Sequence, residues 1–411
     1  MRSTRKSGRI AAVAASAALL AASVSGCGGS ATADDNGPIK VMTWAPQGGS
    51  AGSEAGMPAL AEAIAKQVDA TGGLQGHQLQ VITCDEHNTV EGAITCASQA
   101  VAQHVVAVVG SYSQFAGDAL PSLEAAQIPY IGGYGLSPEE FTSPYSYPVN
   151  GGFQTLLAGN GKQMLDSGCT RVAVIRPQSI VGDNMAGYLE AGLLGKQHVD
   201  VVDLPVTPGL TSYAPQAQQA LGSDGDHNCV TTALDSASTQ TFYDDYRRLN
   251  PVRTQLSSII GSFQQSLVDS TGGDSGPLHD TIATGWYPAD SSPLWKDLHS
   301  TIQQYAFTDN RISTTDPGVE TTWIAYLVLR KAVAQINGPV TAGSLRSALE
   351  NSTGIDTGGL TPPLAWQESN LLPLISAPRL VDTQVSFQRV HKGILTDVGW
   401  GLVDVRSILL H

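Results

Sequence analysis

The sequence predicts an α/β protein of two lobes, each wound on a parallel sheet, and three observations carry that expectation. Short apolar runs alternate with helical patterns of about 10 to 15 residues, the alternation restarts midway along the chain, and a Pro/Tyr/Gly-rich stretch separates the halves. A length of 411 residues allows two or three domains, and 42% hydrophobic residues suffice to fold them.

In the first half, strands are expected at Ile39–Trp44, Leu79–Thr83, Val105–Gly110 and Pro129–Gly132. Helices are expected at Met57–Ala70, stopped by Thr71-Gly72-Gly73, and at about Val90–Gln103 and Ala116–Ala126. The stretch Ser143–Gly152 reads as a crossover. Strands then recur at Arg171–Ile175, Val199–Leu204, Val230–Leu234, Ser258–Ile260 and Thr281–Gly285, and Arg379–Val398 reads as a hairpin around His391-Lys392-Gly393. In open parallel sheets ligands sit beyond the carboxyl ends of the strands, so two such lobes are expected to face each other across a binding cleft.

Charge and leader narrow the setting. Residues 1–26 hold Arg2, Arg5, Lys6 and Arg9 and no acid, followed by an apolar run from Ile10 to about Val24: an export signal. That leader takes four of the 22 basic residues and none of the 36 acids, so the mature chain carries −18 rather than the −14 of the whole. Such an excess argues against nucleic acid or an anionic membrane face, which demand clustered Lys and Arg. No stretch after residue 30 is apolar for about 18 residues, so no membrane-spanning helix is expected in the body.

Val24-Ser25-Gly26-Cys27 resembles the bacterial lipobox, whose cysteine is acylated; an ordinary signal with a chance cysteine is the rival reading. Lipid on Cys27 and a flexible tether, residues 27–38, would hold the mature 385-residue chain, Cys27–His411, on the outer face of the cytoplasmic membrane. Cys84, Cys96, Cys169 and Cys229 remain, an even number in an oxidising compartment. Of three pairings, Cys84 with Cys96 and Cys169 with Cys229 is favoured, because each pair falls within one lobe and begins or ends a strand. No CxxC is present, and His87 stands alone beside Cys84, which speaks against a metal or redox site.

Thr71-Gly-Gly-Leu-Gln-Gly-His-Gln-Leu-Gln-Val-Ile-Thr-Cys-Asp-Glu86, Val105-Val-Ala-Val-Val-Gly-Ser-Tyr-Ser113, Pro129–Glu139, Val172–Ile175 with Gly182, and Glu320-Thr-Thr-Trp-Ile-Ala-Tyr326 follow one another in this chain. In that order they resemble the leucine/isoleucine/valine-binding family of ABC-transporter substrate-binding lipoproteins, the type I periplasmic binding proteins. The resemblance implies two Rossmann-like lobes with parallel sheets joined by a three-strand hinge. The crossovers would fall near Val149, Tyr287 and Thr361, giving lobe 1 as 39–149 with 287–361 and lobe 2 as 150–286 with 362–411. It implies a receptor that closes on a small ligand and docks on ABC permease subunits, as in amino acid transport. No cofactor and a monomer are expected.

Family members that bind α-amino acids hold the carboxylate with hydroxyls and backbone N–H groups of the first lobe, and the matching loops here are Ser111–Gln114 and Tyr134–Ser137. Leu136 stands where a Thr is usual and Val181 where an aromatic is usual. Gly261-Ser-Phe-Gln-Gln265 lacks the acid that pairs with an ammonium. A buried ammonium without a counter-charge is costly, so an amide or small acid joins the amino-acid-like ligands as a candidate. Candidate contacts are Trp44, Ser111, Ser113, Gln114, Tyr134, Gly135, Gln178, Asp235 and Phe263, with Asp235 the one carboxylate among the cleft loops and the remaining acid expected on the solvated surface. Ser111, Ser113 and Gln114 equally suit helix caps, Trp44 and Phe263 equally suit cores, and Trp286 and Tyr287 suit hinge packing.

Gly273-Asp-Ser-Gly-Pro277 lacks the second glycine of the serine-protease segment and sits in a Ser/Thr/Gly/Asp-rich loop, where it is ordinary turn chemistry. No Walker loop or His-Glu-x-x-His is present. The reading is a solute receptor and not an enzyme; the alternatives are a ligand-sensing lipoprotein without transport and, behind it, a surface enzyme on the same fold.

Overall fold

A computed structural model describes residues 37–48, 53–195 and 197–410. The leader, the lipobox and Cys27 lie outside the described residues.

In chain order the first block is β1 (Ile39–Ala45), α1 (Gly56–Ala70), β2 (Leu79–Asp85), α2 (Val90–Ala102), β3 (Ala107–Val109), α3 (Ala116–Ala125), β4 (Tyr130–Ile131) and β5 (Ser146–Tyr147). The second is α4 (Gly152–Asp166), β6 (Arg171–Pro177), α5 (Ile180–Leu193), β7 (Asp200–Val206), α6 (Ala214–Leu221), β8 (Asn228–Thr232), α7 (Ser236–Arg247), β9 (Gln255–Ile259), α8 (Gln265–Ser270) and β10 (Ile282–Gly285). Then come α9 (Lys296–Tyr305), α10 (Pro317–Val333), α11 (Ala342–Asn351), β11 (Gln384–His391), β12 (Ile394–Asp397), β13 (Val403–Asp404) and α12 (Arg406–Leu409).

The strands sort into two sheets. The first runs β2-β1-β3-β4-β5, all parallel; the second contains β7-β6-β8-β9-β10, also parallel, extended antiparallel by β11 and β12. Each parallel set thus repeats one order, second-first-third-fourth-fifth, in which the switch point lies between its first and third strands. β1 is paired on both edges and buried at Val41–Ala45, which is why its apolar run is nearly continuous rather than alternating. The chain leaves the first sheet after β5, returns to pack α9 and α10 against α1 after β10, and rejoins the second sheet at β11.

Local chemistry sets the helix starts. Thr89, Ser179, Asp235 and Asp316 each accept a backbone N–H of the first turn of α2, α5, α7 and α10, satisfying an otherwise orphaned donor. Helix α10 adds Pro317 at its first turn and Arg330 and Lys331 in its last, which suits the helix dipole. β8 ends at Thr232, two residues before the expected Leu234, because the chain turns there to place Asp235 as a cap. Strand β5 lies inside the stretch read as a crossover: two residues are too few to carry a period.

Both disulfides form within a lobe. Cys84 at the end of β2 bonds Cys96 in α2, with Cα atoms 5.8 Å apart. Cys169, just before β6, bonds Cys229 in the neighbouring β8, with Cα atoms 6.0 Å apart. The second follows from topology, since β6 and β8 are adjacent and parallel and bring their amino ends within bridging distance.

Candidate functional site

Three groups of residues stand at the carboxyl ends of the strands. From the first sheet come the loops after β3 and β4. Ser111 Oγ accepts the N–H of Trp44 at 3.1 Å, and the Ser111 carbonyl accepts the N–H of Tyr134 at 3.0 Å. Ser113 Oγ accepts from Phe115 N at 3.0 Å at the start of α3, and Gln114, exposed, donates to the Tyr112 hydroxyl at 3.1 Å. Gly135 has φ +89°, and a Cβ there would stand 2.6 Å from Asn150 Oδ1, so glycine is required. Its N–H and that of Ser137 both donate to Glu140 Oε2, at 3.1 and 3.0 Å. Trp44 stands behind this wall, fully buried against Tyr130 at 5.7 Å, and its Nε1 has no hydrogen-bond partner among the described residues.

From the second sheet come the loops after β6, β8 and β9. Gln178 is exposed, its N–H tied to Val206 O at 2.7 Å. Asp235 is also exposed, its carboxylate accepting from Ser238 N at 2.9 Å as the cap of α7. Phe263 is fully buried in the second core, edge-on to Tyr243 at 6.1 Å.

The third group is a run of rings at the hinge. Tyr112 meets Tyr134 at 4.9 Å, Tyr134 meets Trp286 at 5.5 Å, Trp286 meets Tyr287 at 6.2 Å and Tyr287 meets Trp295 at 6.2 Å. The Trp286 indole donates to Gly152 O at 3.0 Å, and Asn150 Nδ2 donates to Tyr134 O at 3.2 Å, so the crossover after β5 fastens both Trp286 and Tyr134. Tyr134 reaches from the first lobe to the second: its hydroxyl lies 3.3 Å from where a Cβ on Gly261 would stand. Trp286 and Tyr287, both buried, also line a cavity.

Beside Trp286 and Tyr287 the lobes enclose a cavity of about 280 Å³. Ile260, Gln264 and Gln265 after β9 and Gln388, Ile394 and Leu395 of the hairpin line one side, and Asp290, Thr315, Pro317 and Glu320 line the other. Glu320 is 6% exposed and makes no side-chain hydrogen bond or ion pair with the described residues. Burial, then the nearby Asp290, Asp316 and Asp397, push its carboxyl well above the usual range. Asp316 is raised by burial although the N–H groups of Gly318 and Val319 oppose the shift. Glu54 is raised by burial and then by the adjacent Asp316. Asp290 faces His299 Nε2 at 2.7 Å, and Asp397 accepts the Ala289 N–H at 2.9 Å.

Asp290 and Glu320 line this cavity, and Asp235, the one carboxylate expected among the cleft loops, does not. Asp316-Pro317-Gly318 carries the local signal of a helix cap and Glu320 that of a first-turn acid. Nothing local tells which cavity that helix end will face. Among the described residues no group of three His, Cys, Asp or Glu is placed to hold a metal, and no helix is long and apolar enough to cross a membrane.

Two like-wound lobes meeting across a hinge-side cavity define a two-lobed binding protein. The chain belongs to the periplasmic binding protein family, whose model matches residues 38–370. A comparison with curated proteins finds no match. Among solved structures, the fold is similar to a possible leucine/isoleucine/valine-binding protein from Rhodopirellula baltica SH 1, with TM-score 0.74 and 17% identity over 90% of this chain and 98% of that one. It is similar to a branched chain amino acid ABC transporter protein from Thermus thermophilus with bound valine, with TM-score 0.72 and 14% identity over 91% and 100%. It is also similar to an ABC-transporter solute-binding protein from R. palustris in complex with benzoate, with TM-score 0.69 and 14% identity over 90% and 97%. The shared fold is the type I periplasmic-binding-protein arrangement of two parallel-sheet lobes.

Proposed function

We propose that this protein is the solute receptor of an ABC importer, exported and held on the outer face of the cytoplasmic membrane by lipid on Cys27. The observation that carries the reading is the meeting of Tyr134 with Gly261 across the two lobes, beside a cavity that neither lobe encloses alone. Lobe 1 is 39–149 with 287–361, and lobe 2 is 150–286 with 362–411. A small polar ligand, amino-acid-like, an amide or a small acid, enters the open form. Contacts from both lobes then favour the closed form, which docks on the permease. On the first wall Ser111, Ser113, Gln114, Tyr134 and Gly135 receive the ligand, with Trp44 behind them; Gln178, Asp235 and Phe263 belong to the facing wall. The similarity to structures whose names cite valine and benzoate supports a ligand of that size.

A thermal-shift screen of the mature protein over amino acids, amides, amines, small acids and aromatics tests this. A saturable rise in Tm with at least one compound, returned unchanged, is the expected result. No rise with any class, or turnover of the compound bound, contradicts it.

A further inference from the structure

Of the two carboxylates that line the cavity, Asp290 and Glu320, Glu320 is the one whose side chain has no partner among the described residues. Asp290 has His299, Asp397 has the Ala289 N–H and Asp316 caps α10, whereas Glu320 is 6% exposed, makes no side-chain hydrogen bond among the described residues and faces the cavity. A buried acceptor without a donor costs free energy that a ligand donor restores. None of the residues lining the cavity is a Lys or Arg, while Asp290 lines it beside Glu320, and Asp316 and Asp397 stand near enough to act on Glu320. An anion placed there would meet only like charge, and a cation would find a counter-charge. Trp286 and Tyr287 supply aromatic surface on the same cavity, and such rings attract cations.

We propose that the solute carries a protonated amine and that Glu320 is the residue that receives it, with Trp286 and Tyr287 beside its carbon frame. The assignment rests on the solute-receptor reading and narrows it: amine-bearing ligands are selected and simple carboxylates are rejected. The second lobe contributes Gln264, Gln265 and Gln388 to the cavity and no carboxylate, so the charge that selects the ligand belongs to the first lobe. The cavity, about 280 Å³, falls just below the roughly 300–1,000 Å³ typical of ligand sites, so the amine is a compact one.

The test is calorimetric titration of the full mature protein with matched sets of primary amines, alcohols and carboxylates of equal size, phenethylamine, phenethyl alcohol and 3-phenylpropionate among them. The expected result is binding of amines at least about tenfold tighter than their alcohol and acid counterparts, and loss of that margin in Glu320→Gln at an unchanged Tm. Asp290→Asn narrows the margin by a smaller factor and serves as the second variant should Glu320→Gln fold poorly. Binding of alcohols or carboxylates in preference to amines overturns the inference and leaves the receptor reading standing. Binding of none of the three sets overturns the amine assignment and leaves the receptor reading to the wider screen over amino acids and amides, and an amine preference that survives Glu320→Gln overturns the role of Glu320.

Discussion

The Tyr134 hydroxyl, carried on a loop of the first sheet, lies 3.3 Å from the point where a Cβ on Gly261 of the second would stand. Gly261 adopts φ +95°, a backbone conformation that L side chains rarely take, so the contact depends on glycine there. Tyr134 is nevertheless held by its own lobe and by the hinge, through Ser111 O, Asn150 and the Trp286 ring.

Gly261→Ala therefore carries both backbone strain and a crowded lobe contact. The expected outcome is a loss of about 1–2 kcal/mol in urea unfolding together with weaker ligand binding. Tyr134→Ala, which removes the ring from Trp286, is expected to weaken ligand binding about tenfold or more. Tyr134→Phe changes stability by less than about 0.5 kcal/mol, because the hydroxyl makes no hydrogen bond among the described residues.

The two disulfides close loops of unequal length, 12 and 60 residues. On the chain-entropy model, replacing Cys169 and Cys229 by Ser costs about 4 kcal/mol and replacing Cys84 and Cys96 about 3 kcal/mol. Neither bond reaches the cavity, so denaturant midpoints will fall in both variants while ligand affinity stays the same.

Buried acids set the pH dependence. Burial is the main cause pushing Glu86 and Glu140 up to about 7 and Asp382 up to about 8. In the unfolded chain such groups titrate near about 4, so between these values the folded state holds protons that the unfolded chain releases. Stability from these groups is full below about pH 4 and is lost as pH rises through 7 and 8. Asp224, held down to about 2 by backbone N–H groups that outweigh its desolvation, acts in a lower window and does not oppose this. Thermal unfolding from pH 4.5 to 8.5 should show a falling Tm, and Glu86→Gln with Asp382→Asn should flatten it.

The βα units were legible because the strands are short apolar runs and several of the helices between them open on a capping residue, as at Thr89 and Ser179. The Cys169–Cys229 pairing was legible because strand order alone brings β6 and β8 together. What local sequence could not show was orientation. Asp316 and Glu320 open a helix like many others, and only the return of α10 to the first lobe turns that end toward Trp286 and Tyr287. Asp235 illustrates the converse: it lies at the carboxyl end of a strand, where ligand contacts are expected, and its carboxylate is engaged in capping α7.

Closure of the two lobes on a solute is the central claim, and an inter-lobe distance measures it most directly. Spin labels at Asp118→Cys in α3 and Gln240→Cys in α7, both exposed, place one reporter on each lobe. Double electron–electron resonance should give a broad distribution without ligand that collapses to its shorter component at saturating ligand. An unchanged distribution with ligand demonstrably bound would contradict the account.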